Sequence, residues 1–157
     1  MFFEKDKPQV RVDLMSQADL PEIMAIEQAS FRSPWTQGMF LDEMRTTHAQ
    51  CLAVKIRKGQ KAEIAAYMIF WLVADEGHLH KMAVKMEYRR LGLAASLMNV
   101  MKDIAAQMGI SRRTLEVRES NDGAIHLYRK CGFVVKGRRP NYYDDTHEAA
   151  LIMWAEP

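Results

Sequence analysis

Residues 51–84, CLAVKIRKGQKAEIAAYMIFWLVADEGHLHKMAV, decide the fold. Three apolar runs, CLAVKI (51–56), AEIAAYMIFWLV (62–73) and HLHKMAV (78–84), are cut apart by RKGQK around Gly59 and by Asp75-Glu76-Gly77. Runs bounded by such turn residues read as strands, and connections this short join antiparallel neighbours. The spacing therefore predicts a three-stranded antiparallel meander. Upstream, QVRVDL (9–14) alternates apolar and polar residues and predicts a further strand. Ser16 is a helix N-cap candidate, with Asp19 three residues on and Pro21 near the start; Leu20, Ile23, Met24, Ile26 and Phe31 form the apolar face. RSPW (32–35) stops that helix, because proline pushes its predecessor out of helical angles, and a shorter helix follows from Thr36 to about Arg45.

Downstream, Ala94, Leu97, Met98, Met101, Ile104, Ala105 and Met108 recur at spacings of three and four. They predict an amphipathic helix over 91–108, stopped by Gly109. RTLEV (113–117) reads as a strand and Asn121–Lys130 as a helix ended by Cys131-Gly132; FVVKGR (133–138) and EAALIMW (148–154) read as two last strands. About seven strands and four helices result, an α/β (α+β) sheet covered by helices on both faces. No repeat, low-complexity tract or linker interrupts the chain, so a single domain over 1–157 is expected.

The 157 residues are enough to bury a core, and 48% hydrophobic with 27% charged residues is ordinary globular composition. A net charge of +2 gives no bulk electrostatic case for nucleic-acid or membrane binding. Basic residues cluster locally at Arg89-Arg90, Arg112-Arg113 and Lys136 to Arg139, which suggests an anionic ligand more than a polyanion. Cys51 and Cys131 form no paired motif, pointing to a reduced compartment, and MFFEKDKPQV (1–10) reads as neither signal peptide nor membrane span. A cytoplasmic protein, monomeric and without nucleic-acid or membrane partners, is expected.

Three features carry possible chemistry. EYRRLGLA (87–94) places two arginines and Gly92 at a helix mouth, where backbone N–H groups lack partners and the helix end is partly positive. It is either a solvated helix start or a diphosphate cradle. In TLEVR (114–118), Glu116 shares a face with Thr114 and Arg118 on a strand expected to be central. It either pairs with Arg118 or is a buried general base. Tyr128 lies on the core-facing stripe with Ala124, Ile125 and Cys131, as a packed tyrosine or, through the short link to the Glu116 strand, an acid/base partner. His78 and His80 share a strand face but have no further ligand at a recognisable spacing, so no metal is expected, and no Ser-His-Asp or Cys-His signature is visible. The 12 methionines read as core filler.

HKMAVKMEYRRLGLAASLM, TLEVRESNDGAIHLYRKCGF and NYYDDTHEAALIM strongly resemble the GNAT acetyltransferases, and within them the RimI-type protein N-terminal acetyltransferases, whose substrate is the N-terminal alanine of a small-subunit ribosomal protein. SFRSPWT (30–36) resembles that family's loop between its first two helices. The resemblance covers about residues 16–153; the glycine turn alone is loose, whereas LEVRxSNxxAIxLYxKxGF is specific. It implies a mixed, mostly antiparallel twisted sheet and acetyl-CoA as cosubstrate. The turn formed by Arg89, Arg90, Gly92, Leu93 and Ala94 would bind its pyrophosphate. The strand Met82-Ala83-Val84 would offer backbone groups to the pantetheine and the acetyl carbonyl, with Asn121 near the cofactor. Glu116 would be the general base and Tyr128 the general acid for direct amine attack on the thioester, with an N–H near Met82 stabilising the oxyanion. Phe31, Pro34, Trp35, Tyr142 and Tyr143 would flank the peptide, and the neighbouring Asp144, Asp145 and Glu148 would favour basic residues after the acceptor unless they form only a solvated acidic loop.

The sequence departs from the family pattern at Ala94, where glycine is commoner, at Lys81, where the family is apolar or small and polar, and at Ala149, where an aspartate is usual. Other readings are a GNAT acting on lysine or on a small amine such as a polyamine or aminoglycoside, and a non-catalytic acetyl-CoA-binding regulatory module.

Overall fold

The computed structural model describes residues 8–157. The charged N-terminal stretch begins in residues 1–7, outside the described residues. In chain order the elements are β1 (Gln9–Leu14), α1 (Leu20–Ser30), α2 (Gln37–Arg45), β2 (Ala49–Lys58), β3 (Lys61–Val73), β4 (Glu76–Val84), α3 (Leu93–Gln107), β5 (Arg112–Arg118), α4 (Asp122–Lys130), β6 (Val134–Arg139) and β7 (Ala150–Ala155). Among the described residues, no helix is long and apolar enough to cross a membrane.

The strands form one seven-stranded sheet in the order β1-β2-β3-β4-β5-β7-β6. β1 runs antiparallel to β2, with Gln9 opposite Arg57 and Leu14 opposite Leu52. β2, β3 and β4 are successive neighbours joined by two-residue turns, which only antiparallel pairs permit. The second turn is Ala74-Asp75, with Ala74 at φ 53°. Glu76 and Gly77, expected in the turn, belong to β4. Gly77 is there for closeness: a Cβ would sit 3.3 Å from Met101 Cε and 3.4 Å from Arg113 Cγ.

β4 and β5 pair in parallel, and α3 is the crossover that such a pair requires. Their pairing ends at Leu79 opposite Leu115, although β4 runs on to Val84 and β5 to Arg118. β7 lies antiparallel against β5, with Arg113 opposite Ala155 and Arg118 opposite Ala150, and β6 lies outside it. The sheet is therefore mixed.

The chain packs as two compact units. One comprises the described residues up to Ile69 together with Lys81–Leu93; the other comprises Phe70–His80 and Ala94–Pro157. In the first, Leu20, Ile23 and Ile26 of α1 pack with Phe40 of α2 and with Ala53, Tyr67 and Ile69 of the sheet. Phe40 meets Trp35 and Tyr67 edge-on, at centroid distances of 5.3 and 5.6 Å. In the second, Leu97, Met98, Met101 and Ala105 are the buried stripe of α3. Met108, counted in that stripe from spacing, is exposed, because the helix ends at Gln107 and Gly109 turns the chain with φ 73°.

Candidate active site

In the first unit the turn after β4 is built on Tyr88. Its ring is buried and its hydroxyl donates to Glu63 of β3, whose carboxylate also receives Lys85 Nζ at 3.0 Å. These two donors hold the Glu63 carboxyl below the usual range. Arg89 then folds back, with Nε donating to the Val84 carbonyl at 2.9 Å and Nη2 to Ser30 Oγ at 3.3 Å. Arg90 and Gly92 follow with φ of 63° and 80°, and nothing lies within 4 Å of where a Gly92 Cβ would be. Such left-handed residues turn successive N–H groups toward one side, and α3 begins at Leu93 with its first-turn N–H groups unpaired within the helix. The backbone here is open and positive, as an anion cradle requires. Met82 and Val84 alternate with the buried Ala83 along β4. A cleft of about 270 Å³ lies between α1 and Lys85–Arg89, with Ala25, Ala29 and Met86 on its walls; of the candidate residues, only Arg89 lines it.

The same unit contains a charged cluster that sequence reasoning missed. Glu27 is fully buried in α1. Its carboxylate is ion-paired with Lys81 Nζ, accepts the Tyr67 hydroxyl, and accepts the Trp35 backbone N–H at 3.0 Å. The Lys81 ammonium sits 3.9 Å from the Phe31 ring centroid and 4.8 Å from that of Trp35. Burial pushes Lys81 below the usual lysine value against the opposing pull of Glu27, and burial pushes the Tyr67 hydroxyl up. Pro34 is exposed between the two ring-bearing residues. The signal was present: Glu27 stands three, four and seven residues from Met24, Ile23 and Leu20, in the middle of an apolar stripe.

In the second unit Glu116 is exposed on β5, so the expectation that it is buried is not met; two residues from the end of β5 it has cleared the packed strand centre. Nor does it pair with Arg118. That guanidinium forks onto Asp145 at 2.7 and 3.0 Å and covers the Tyr143 ring at 4.0 Å. Glu116 instead faces Arg139 Nη1 at 3.7 Å and accepts the Tyr142 hydroxyl, a bond that holds the Tyr142 phenol above its ordinary value. Tyr142 and Tyr143 meet edge-on at 5.1 Å, and both backbone N–H groups donate to the Glu148 carbonyl at 3.1 Å. Burial pushes the Tyr143 hydroxyl up to about 12, with Arg118 opposing and Glu116 adding. Tyr128 is half-buried, its ring 6.2 Å from Phe133, and desolvation of the phenol, helped by Cys131 and Tyr143, pushes it up to about 12. Asn121 caps α4 by accepting the Ala124 N–H at 3.2 Å.

Most of the other charges turn out to be structural. Arg113 is buried and stacks over Phe133; Arg112 faces Glu76 and Glu156; Arg138 forks onto Glu119. Arg89-Arg90 stands at the glycine turn, whereas in the third cluster Arg139 faces Glu116 and Lys136 is exposed. Asp145 is engaged by Arg118 and Glu148 by Ser120, while Asp144, the third acidic residue of that loop, is exposed. His78 pairs with Glu76 at 2.9 Å and His80 stacks on Trp71, and no metal-holding group of three side chains occurs among the described residues.

A model of the Acetyltransferase (GNAT) family matches residues 20–133, reaching into both units. The chain belongs to the GNAT acetyltransferase family. It is 35% identical to the putative ribosomal protein bS18-alanine N-acetyltransferase of Bacillus subtilis, over 94% of this chain and 96% of that one. The crystal structure of the ribosomal-protein-S18-alanine N-acetyltransferase of Escherichia coli superposes with a TM-score of 0.82 at 31% identity, covering 94% of each chain. That of Ard1 from Thermoplasma volcanium superposes with a TM-score of 0.84 at 27% identity, covering 94% and 97%. GNAT enzymes transfer acetyl from acetyl-CoA, and the turn in this GNAT chain suits a diphosphate: the backbone is open at Gly92, and Arg89 retains guanidinium N–H groups beyond the two already used. The GNAT departure at Lys81 has a local reason as well, since the lysine neutralises the buried Glu27.

Proposed function

We propose that this GNAT enzyme acetylates the α-amine of a protein N-terminus, with acetyl-CoA as donor and the N-terminal alanine of a bS18-type ribosomal protein as acceptor. The observation that carries this reading is the end-to-end match to a relative named for that acceptor, 35% identical over 94% of the chain. The chain is read as a single GNAT domain, monomeric and cytoplasmic, the last in keeping with the free thiols of Cys51 and Cys131. Acetyl-CoA supplies an activated thioester. The 89–94 turn holds its pyrophosphate, and the edge of β4 beyond Leu79, left without its β5 partner, offers Met82 and Val84 backbone groups to it. Phe31, Pro34, Trp35, Tyr142 and Tyr143 flank the acceptor. Direct attack by the amine calls for no metal and no covalent enzyme intermediate, and holding the two reactants in line supplies much of the rate.

Glu116 takes the amine's proton. Tyr128 donates its phenolic proton toward the departing sulfur as general acid, and the phenol is restored from solvent; burial pushes that hydroxyl up to about 12, which keeps it protonated and able to donate at neutral pH. A hydrogen bond to a charged group contributes about 1.5–3 kcal/mol. Tyr128→Phe is accordingly expected to lower kcat by about 10- to 150-fold, with no change in acetyl-CoA affinity; full activity would return Tyr128 to a packing role.

Arg89→Ala is expected to weaken acetyl-CoA binding by about tenfold or more, because it removes a charged donor and frees the turn from Val84 and Ser30. Calorimetry reads this directly, and an unaltered affinity would exclude Arg89 from the cradle. The function itself is tested by thiol release from acetyl-CoA against a panel of acceptors. The expected order places peptides beginning with the bS18-type alanine first, ahead of α-blocked lysine peptides and polyamines; a polyamine or lysine preference would refute the reading.

A further inference from the structure

Glu27 is buried and the Lys81 side chain nearly so; both are ionisable and absent from the chemistry just described. Their surroundings suggest a use. Glu27 lies in α1 and Lys81 in β4, two elements fixed by the core around Leu20, Ile23, Tyr67 and Ile69. Both reach the loop that joins α1 to α2. The carboxylate holds the loop backbone at the Trp35 N–H, 3.0 Å away. The ammonium holds its side chains, lying 3.9 Å from the Phe31 ring centroid and 4.8 Å from the Trp35 centroid. A desolvated cation on aromatic faces is a stronger contact than an exposed one, and Lys81 is only 9% exposed in its side chain. Tyr67 completes the set by donating to the second carboxylate oxygen, which fixes the plane of the Glu27 carboxylate. The loop spans residues 31–36, carries the exposed Pro34, and lies between helices that end at Ser30 and begin at Gln37; Trp35 also meets Phe40 edge-on at 5.3 Å, so the pair acts together with that core contact.

We propose that the Glu27–Lys81 pair is a clamp that sets the positions of Phe31 and Trp35, and that it thereby determines how tightly the acceptor N-terminus is bound. This rests on the reading that the 31–35 loop borders the acceptor. Both are positioning residues. They act through Phe31 and Trp35 and touch neither the thioester nor the attacking amine.

The test is the split between acceptor and donor parameters in Lys81→Met, which removes the cation from the rings and leaves the chain length. Acceptor-peptide KM is expected to rise at least fivefold while acetyl-CoA affinity, by calorimetry, stays within twofold. In a Trp71→Phe/Trp154→Phe background, where Trp35 is the remaining tryptophan, Lys81→Met is expected to shift the emission to longer wavelength as the ring loses its packed position. If Lys81→Met does not fold, Glu27→Gln/Lys81→Met leaves no unpaired buried charge and is read in the same way. An acceptor KM within twofold of the parent in the folded variant, or an equal rise in donor and acceptor constants, overturns the clamp. Trp35→Ala separates this from the reading beneath it. If Trp35→Ala leaves acceptor KM unchanged, the loop does not border the acceptor and the clamp falls with that assignment. If Trp35→Ala raises KM and the clamp variant does not, the acceptor assignment stands and the clamp alone is wrong.

Discussion

Glu116→Gln is expected to lower kcat by about 10²- to 10⁴-fold, the range for removing a positioned general base, with acetyl-CoA affinity within twofold. An N-terminal amine has a pKa of about 7.7–8.0, so at pH 7 roughly 10–20% of it is free to attack. As it adds to the thioester carbonyl its nitrogen must lose a proton, and a carboxylate aimed by fixed partners is suited to take it. Glu116 has those partners in the Tyr142 hydroxyl and in Arg139, 3.7 Å away. Glutamine keeps the shape and can still accept from Tyr142, but cannot receive the proton. The substitution therefore isolates proton transfer from packing. Because Glu116 is exposed on β5, the loss should appear without a change in thermal midpoint. Unchanged turnover would remove Glu116 from the base role; a parallel loss of acetyl-CoA binding would move it to the cofactor site.

Glu27→Ala is expected to be the most destabilising single change in the first unit, by about 3–5 kcal/mol. It strands the Lys81 ammonium in a buried position and leaves the Tyr67 hydroxyl and Trp35 N–H without their acceptor. For a domain of this size that amounts to a fall of roughly 6–20 °C in Tm. The pair as a whole is a different matter. Two charges taken out of water recover little net energy, so Glu27→Leu/Lys81→Met should regain the share due to the stranded ammonium, while the Tyr67 hydroxyl and Trp35 N–H still lack their acceptor. Calorimetric or circular-dichroism melts of the single and double variants decide this. A single variant melting within 2 °C of the parent, roughly 1 kcal/mol or less, would mean that Lys81 finds water or another partner.

The contrast between these two residues shows what could be read from the chain. Glu116 lies in a run whose local order of strand, short link and helix is set by near neighbours, although Asn121, read as the first residue of that helix, is its N-cap. The meander and α3 were equally legible, because their apolar periods are local. What escaped was non-local. Nothing in the order of the last two strands says that β7 slips between β5 and β6, yet that placement brings Arg139 to Glu116 and turns Arg118 toward Asp145. Likewise the basic pair Arg112-Arg113 reads as ligand-binding until Trp154 and Phe133 are found beneath it. Lys81 registered only as a departure from the family pattern, since its meaning depends on Glu27, 54 residues earlier.

The central claim is that the acceptor is an α-amine. The most direct measurement offers the enzyme and acetyl-CoA a single peptide with a free N-terminal alanine of bS18 type and an internal lysine, then locates the acetyl group by fragment mass spectrometry. The account predicts acetyl on the alanine nitrogen and an unmodified lysine. Acetyl on the lysine, with the alanine left free, would contradict it.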